Sequence, residues 1–302
     1  MAIVTGGPAC GKTSLLEAIG MLKESVGGYG PAPTPRRMLR RGATTGRIAA
    51  AWALSDEERR FCGAPASQCS TEVRIETVAA RVVDATADLG SLFEHFGSEV
   101  GLGKFEYFPA NRDLHATAGV ASEPPMPVAL EAPLRLAKPA DKYGCVHGTL
   151  VEAAQDTGNR VLAELRDKGV VLGTPTTDRV APYRAALKKL TDGIRLEGVA
   201  CRQGQPRATF AHRDGHELEL DDLSASQRQA VLFATTFVRL GLNDSVILID
   251  EPERSIHPGD HADFLRRIAG LGAGNQLIVA TASAGIVRAA RAKQVVGLGG
   301  AG

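Results

Sequence analysis

The sequence predicts an α/β fold: a mostly parallel sheet flanked by helices. Three observations predict it. A glycine-rich segment, residues 6–13, lies between a short apolar strand and an amphipathic helix. A second apolar strand, Val246-Ile247-Leu248-Ile249, ends in two carboxylates, Asp250 and Glu251. The last hundred residues alternate helix and strand, and such short β-branched runs are buried on both faces, as in a parallel sheet.

The elements follow in order. Residues 2–5 read as a strand and run straight into Gly6-Gly7-Pro8-Ala9-Cys10-Gly11-Lys12-Thr13. Leu15, Leu16, Ile19 and Leu22 then form the stripe of a half-buried helix, which Gly27-Gly28 ends. Residues 30–41 are a Pro-rich basic loop, 47–54 and 73–83 are β-like, and 105–108 form a strand that Pro109 stops. Residues 113–147 read as loop, with helices following at about 149–167 and 178–191; no heptad pattern lasts long enough for a coiled-coil arm. Strands are predicted at 194–199, 207–212 and 217–220, the last two joined through an Asp214-Gly215 turn. A helix at 224–240, a strand at 245–249, a helix at 261–269 and a strand at 276–280 complete the pattern.

Composition excludes several classes. The 35 basic residues nearly balance the 34 acidic ones, so global charge advertises neither nucleic acid nor disorder. No apolar run approaches the roughly 18–20 residues of a membrane span, and the N-terminus has no secretory pattern. Five scattered cysteines do not make a disulfide framework, and a reduced, cytoplasmic protein is expected. Cys62, Cys69, Cys145 and His147 match no standard zinc spacing.

Residues 6–13 fit G-x-x-x-x-G-K-[ST] in full, after a strand and before a helix, the context the motif requires. Glycines let backbone N–H groups close around phosphate oxygens, and the helix N-terminus adds partial positive charge. Gly6, Gly7, Pro8, Ala9, Cys10, Gly11, Lys12, Thr13 and Ser14 are therefore the candidate phosphate-binding residues of a P-loop NTPase. Lys12 supplies a cation to the β- and γ-phosphates, and Thr13 a hydroxyl to Mg²⁺. Asp250 is the second candidate Mg²⁺ residue; Glu251 is placed to orient or deprotonate the attacking water. Both stand at the carboxyl end of their strand, where ligands bind in open α/β sheets. Further upstream, Ser224 and Gln227 have capping-box spacing, which by itself requires only a well-capped helix.

The order of segments adds to this. The phosphate loop with LLEAI, then LSASQRQ, then VILIDEPERSIHP, then LIVATAS resembles the ATPase heads of the ABC superfamily, most of all the RecF/SMC/OLD-like branch. The resemblance covers about residues 1–24 and 220–286; Tyr107-Phe108-Pro109-Ala110-Asn111-Arg112 also looks like a strand-end segment of that branch. It implies one ATPase domain over 1–302, with a loop-rich and helical insertion at about 113–193. It implies a homodimer that sandwiches two ATP molecules, with Ser224 and Ser226 acting in trans and Ser255-Ile256-His257 crossing the interface. Two positions depart from the family: Ser226 stands where the signature glycine belongs, and Ala282, between Thr281 and Ser283, where the switch-strand histidine belongs. The chain also starts almost at the phosphate loop, so the family's small antiparallel β layer has to come from residues 43–110 or from a partner. Neither the adenine-stacking residue nor the Q-loop glutamine is assignable.

The leading functional expectation is an ATP hydrolase that dimerises around Mg-ATP and serves DNA repair or phage defence with an effector protein. A non-hydrolysing ATP-gated switch is the alternative, favoured by Ser226 and Ala282 but opposed by intact Lys12, Thr13, Asp250 and Glu251. A small-molecule P-loop kinase and an AAA+ ring ATPase fit less well. Arg36, Arg37, Arg40, Arg41 and Arg47 are a candidate nucleic-acid contact, weighed against a solvated basic loop. Trp52, the only tryptophan, alternates with apolar neighbours and is expected in the core rather than as a base platform.

Overall fold

Strand β1 (Ala2–Thr5) buries Ile3 and Val4 on opposite faces, which requires a sheet covered on both sides. In the computed structural model of the chain that sheet has five strands, all parallel, in the order β11-β1-β10-β9-β5. The other members are β5 (Phe105–Phe108), β9 (Val246–Asp250), β10 (Gln276–Thr281) and β11 (Val295–Gly297). The structure describes residues 1–30, 39, 42–85, 89–97, 101–114, 125–139, 142–168 and 178–299.

Helix α1 (Lys12–Val26) lies between two sheets. Its Leu16 packs on Tyr107, Leu248 and Ala280 of the parallel sheet. Met21 and Leu22 pack on Val73 and Ile75 of a three-stranded antiparallel sheet, β2 (Thr45–Ala53), β3 (Gln68–Glu76) and β4 (Ala80–Ala85). Burying each such side chain is worth about 1.5–3 kcal/mol, so α1 is held at the end of β1 from both sides. Leu15, expected in the buried stripe, is 37% exposed instead. The antiparallel layer does come from this chain, within residues 43–110.

The 73–83 run is not one strand. It belongs to β3 and β4, joined by a turn at 77–79 in which Glu76 N–H donates to the Ala79 carbonyl. Thr77, Val78 and Ala79 include no residue that punctuates a turn, so the break has no sequence signal. Trp52 is core as expected: it packs edge-on against Phe93 and Phe105 and donates its indole N–H to Thr71. Helices α2 (Asp56–Cys62) and α3 (Leu89–Glu94) were not expected. The first carries a complete Ser55/Glu58 capping box, a readable signal that the short apolar content hid.

On the other face of the parallel sheet, α6 (Ala225–Leu240) buries Leu232, Phe233 and Phe237 with Ile247, Ile249 and Val279. Helices α4 (Cys145–Lys168) and α5 (Ala181–Leu190) extend this cluster onto a second antiparallel sheet, β6 (Ile194–Arg202), β7 (Gln205–His212) and β8 (Glu217–Glu219). The 113–147 region, read as loop, holds a 3-10 turn, Val128–Leu134, and the first turn of α4. The Asp214-Gly215 turn forms as expected, with Gly215 at φ 86. Helix α7 (His261–Ala269) and the short α8 (Ala284–Ala289) flank β10.

Strand β5 is anchored by buried charge. Lys142 Nζ lies 2.9 Å from Glu106 Oε1, and Arg135 Nη1 3.7 Å from Glu106 Oε2. Lys142 also donates to the carbonyls of Tyr107 and Arg135. All three side chains are buried, and desolvation pulls the Lys142 ammonium down to about 8. Removing one partner of such a group strands a charge at a cost of about 3–5 kcal/mol. Since Arg135 remains beside Glu106, Lys142→Met is expected to lower stability by about 3 kcal/mol in chemical denaturation, the low end of that range. The double variant Lys142→Met/Glu106→Gln should recover most of the loss. A single variant as stable as the wild type would show that the ion pair anchors nothing.

Candidate nucleotide site

The end of β1 turns sharply at Gly6, whose carbon would carry a Cβ 2.6 Å from both Cys10 Sγ and the Leu298 carbonyl. Only glycine fits there. Ala9 and Gly11 have φ 57 and 94, the left-handed turns that bring the chain around to the first residue of α1. Gly7, Pro8 and Ala9 are exposed at the rim. Lys12 folds back over the loop and donates to the carbonyls of Gly6 (3.0 Å) and Gly7 (2.8 Å). Its ammonium is thereby held at the centre of the loop, above the N-terminus of a 15-residue helix. That arrangement suits anionic oxygens.

Across the sheet, Thr13 Oγ1 donates to Asp250 Oδ2 at 2.8 Å. Residues 237 positions apart thus meet because β9 stands two strands from β1, with β10 between them. A hydroxyl and a carboxylate in contact are hard oxygen donors of the kind Mg²⁺ takes, and Mg²⁺ completes its shell with waters and phosphate rather than a full protein cage. Both side chains therefore fit the ion. Among the described residues no group of three or more His, Cys, Asp or Glu is placed to hold a metal.

Glu251 is exposed just past β9, with φ 49. A non-glycine residue in that region persists only when its surroundings hold it. Its N–H donates to the Ala280 carbonyl at 2.9 Å, and its carbonyl accepts from Arg112 Nη2 at 2.7 Å. Arg112 is 1% exposed; burial pulls its guanidinium down to about 10.

The segment after Glu251 is tied to the end of β10. Glu253 Oε1 accepts from Thr281 Oγ1 (2.7 Å) and from the Ala282 N–H (3.0 Å). His261 bridges the two as well: Nε2 is 3.0 Å from the Ile256 carbonyl and Nδ1 2.8 Å from Ser283 Oγ. A carbonyl only accepts, so Nε2 carries a proton and donates to Ile256; in the neutral imidazole Nδ1 then accepts from the serine hydroxyl. Ser255, with φ 65, lies on the resulting turn, and His257 accepts from Gly259 N–H.

Ser224 caps α6, as its spacing predicts: its Oγ accepts from Gln227 N–H at 3.3 Å and lies 3.1 Å from Ser226 Oγ. Both serines are exposed. Among the described residues neither serine bonds to the phosphate loop or the acid pair. The loop, Thr13, Asp250 and Glu251 are thus brought together, and the two serines stand apart. Gln68 is exposed on β3, in the antiparallel sheet. Arg47 pairs with Glu72 at 2.6 Å, and Arg36, Arg37, Arg40 and Arg41 lie outside the described residues. Sequence reasoning assigned no role to Arg112, Gln229, Glu253 or His261, whose contacts exist only once β5, β9, β10 and α6 are assembled.

Known proteins resemble the chain in part of its sequence and in its fold. The family model described as an AAA domain, putative AbiEii toxin of a type IV toxin–antitoxin system, matches residues 148–288. A solved Smc head bound to the C-winged-helix domain of ScpA is similar with a TM-score of 0.52 at 13% identity, over 98% of this chain and 85% of that one. An Smc head domain with an extended coiled coil, bound to the C-terminal domain of ScpA derived from Pyrococcus furiosus, is similar with a TM-score of 0.54 at 13% identity, over 98% and 86%. No curated protein matches the chain. The chain has the fold of these Smc head domains. Among the described residues no helix is long and apolar enough to cross a membrane.

Proposed function

We propose that the chain is an ATP-binding and ATP-hydrolysing head that forms a homodimer around Mg-ATP as a single ATPase domain. The observation that carries this is the 2.8 Å contact of Thr13 with Asp250, which joins the phosphate loop to the acid pair. When bound, Mg²⁺ neutralises charge on the β- and γ-phosphates. Thr13 and Asp250 would hold it. The N–H groups of the loop, from residues 6–13 other than Pro8, with Ser14 behind them, bind phosphate oxygens, and Lys12 leaves its loop carbonyls for the β- and γ-phosphates. Glu251 orients the water and takes its proton. Ser224 and Ser226, exposed at the start of α6, contact the nucleotide of the second copy in trans. Phosphate release from Mg-ATP by the purified chain, abolished by Asp250→Asn, is the test; a flat trace for the wild type sinks the enzyme reading.

One observation favours slow turnover. Ala282 has no side-chain donor, and its N–H is taken by Glu253. Losing one oriented donor to a transferring group costs about 10²–10³ in rate. Ala282→His is therefore expected to raise basal turnover several-fold. A wild-type rate of tens per second, unchanged by the histidine, would show that the absent donor is compensated and would overturn the expectation of slow turnover.

The matching family model's description as a putative toxin supports defence, acting with an effector protein, over DNA repair. The Smc heads similar in fold are solved with ScpA bound, which supports a protein partner here too. Nucleic acid through Arg36, Arg37, Arg40 and Arg41 is tested in the same assay: added DNA or RNA should stimulate turnover in a salt-dependent way.

A further inference from the structure

We propose that Arg112 is a positioning residue that couples the start of α6 to the backbone of the acid pair, so that engagement of Ser224 by a second copy is felt at Glu251 of the same chain. This deepens the reading above and rests on it.

The guanidinium makes four hydrogen bonds. Nε donates to Gln229 Oε1 (2.8 Å), Nη1 to the carbonyls of Pro109 (3.0 Å) and Asp250 (2.6 Å), and Nη2 to the Glu251 carbonyl (2.7 Å). Gln229 answers through Nε2 to the Arg112 carbonyl at 3.0 Å, closing a ring. The guanidinium also lies over the Phe233 ring, 5.2 Å from its centroid. Gln229 and Phe233 are four residues apart on α6, hence on one face of it. Two contacts therefore come from α6, two from the end of β9 and one from the end of β5.

Three features make this a coupling rather than a prop. The fork is planar and rigid, so its donors cannot adjust independently. The site is dry, with Arg112 and Gln229 1% and 3% exposed, so a broken bond is not replaced by water. Gln229 stands five residues after Ser224, little more than one helical turn, so a shift of the exposed end of α6 reaches Gln229 almost undiminished. At the other end the fork grips the carbonyl of Glu251, the residue held at φ 49.

The test is steady-state ATP turnover by three variants. Gln229→Leu removes the hydrogen-bonded link to α6 and leaves the phosphate loop untouched; kcat is expected to fall about tenfold with KM for ATP within twofold. Gln229→Glu keeps an acceptor for Nε and should hold kcat within threefold. Arg112→Lys keeps the buried charge but cannot serve four acceptors, and should repeat the kcat-selective loss. In a Glu251→Gln background, Gln229→Leu should still yield the ATP-bound dimer, since Ser224 is intact. Wild-type kcat in both Gln229→Leu and Arg112→Lys overturns the coupling, as does a loss equal in Gln229→Glu and Gln229→Leu, or one matched by a rise in KM. A wild-type protein that hydrolyses no ATP instead overturns the parent reading and is distinguishable from these.

Discussion

Lys12→Ala is expected to abolish tight ATP binding. Lys12 Nζ is held at the centre of the loop by the Gly6 and Gly7 carbonyls, the only side-chain cation the loop itself carries. A charge-assisted contact contributes about 1.5–3 kcal/mol, and the ammonium serves two phosphates, so the loss is about 3–6 kcal/mol. That is roughly a 10²–10⁴-fold rise in Kd. The fold should tolerate the change, because among the described residues the Lys12 ammonium bonds within its own loop alone. Titration calorimetry with ATP and Mg²⁺ checks the effect, with thermal unfolding as the control for structure. Unchanged affinity in a folded variant would remove the phosphate-loop assignment altogether.

The loop and the acid pair were legible in the sequence for a physical reason. A phosphate loop needs glycines at fixed offsets and a cation next to a helix start, and a buried parallel strand needs an uninterrupted apolar run; both are local demands, written contiguously at 6–13 and 246–251. The capped start of α6 was legible on the same grounds, since Ser224 and Gln227 satisfy each other within one turn. What was missed is non-local. Arg112 reads as one arginine at a strand end until the fold brings the Asp250 carbonyl, 138 positions away in sequence, to its Nη1. Glu253 reads as a third acid in a run until β10 delivers Thr281 and Ala282 beside it. Strand β11 has only three residues and no flanking signal; it exists because the edge of β1 accepts it, with the Leu298 N–H donating to Thr5. The β3–β4 hairpin failed for the opposite reason: its turn residues are ordinary, and pairing with β2 and packing on α1 impose the bend.

Glu251→Gln should keep nucleotide binding and stall hydrolysis. The two side chains have the same shape, the phosphate loop is untouched, and the backbone restraints on residue 251, the Arg112 and Ala280 bonds, do not involve its side chain. What disappears is the carboxylate that takes the proton from water. General-base catalysis contributes about 10²–10⁴ in rate, so kcat is expected to drop by about 10³ while ATP affinity stays within a few-fold. A stalled site holds ATP at the interface, and a ligand that binds only the dimer stabilises it by mass action. The variant should therefore run as a dimer in light scattering with ATP and Mg²⁺, and revert to a monomer with ADP. The ADP arm separates an ATP sandwich from an interface that forms regardless of nucleotide. Two outcomes are decisive against the assignment. Unimpaired turnover would mean that Glu251 is not the base, leaving Glu253, whose Oε2 has no hydrogen-bond partner among the described residues, as the next carboxylate to examine. A monomer at high concentration with ATP bound would mean that Ser224, exposed and satisfied within its own capping box, has no second nucleotide to meet.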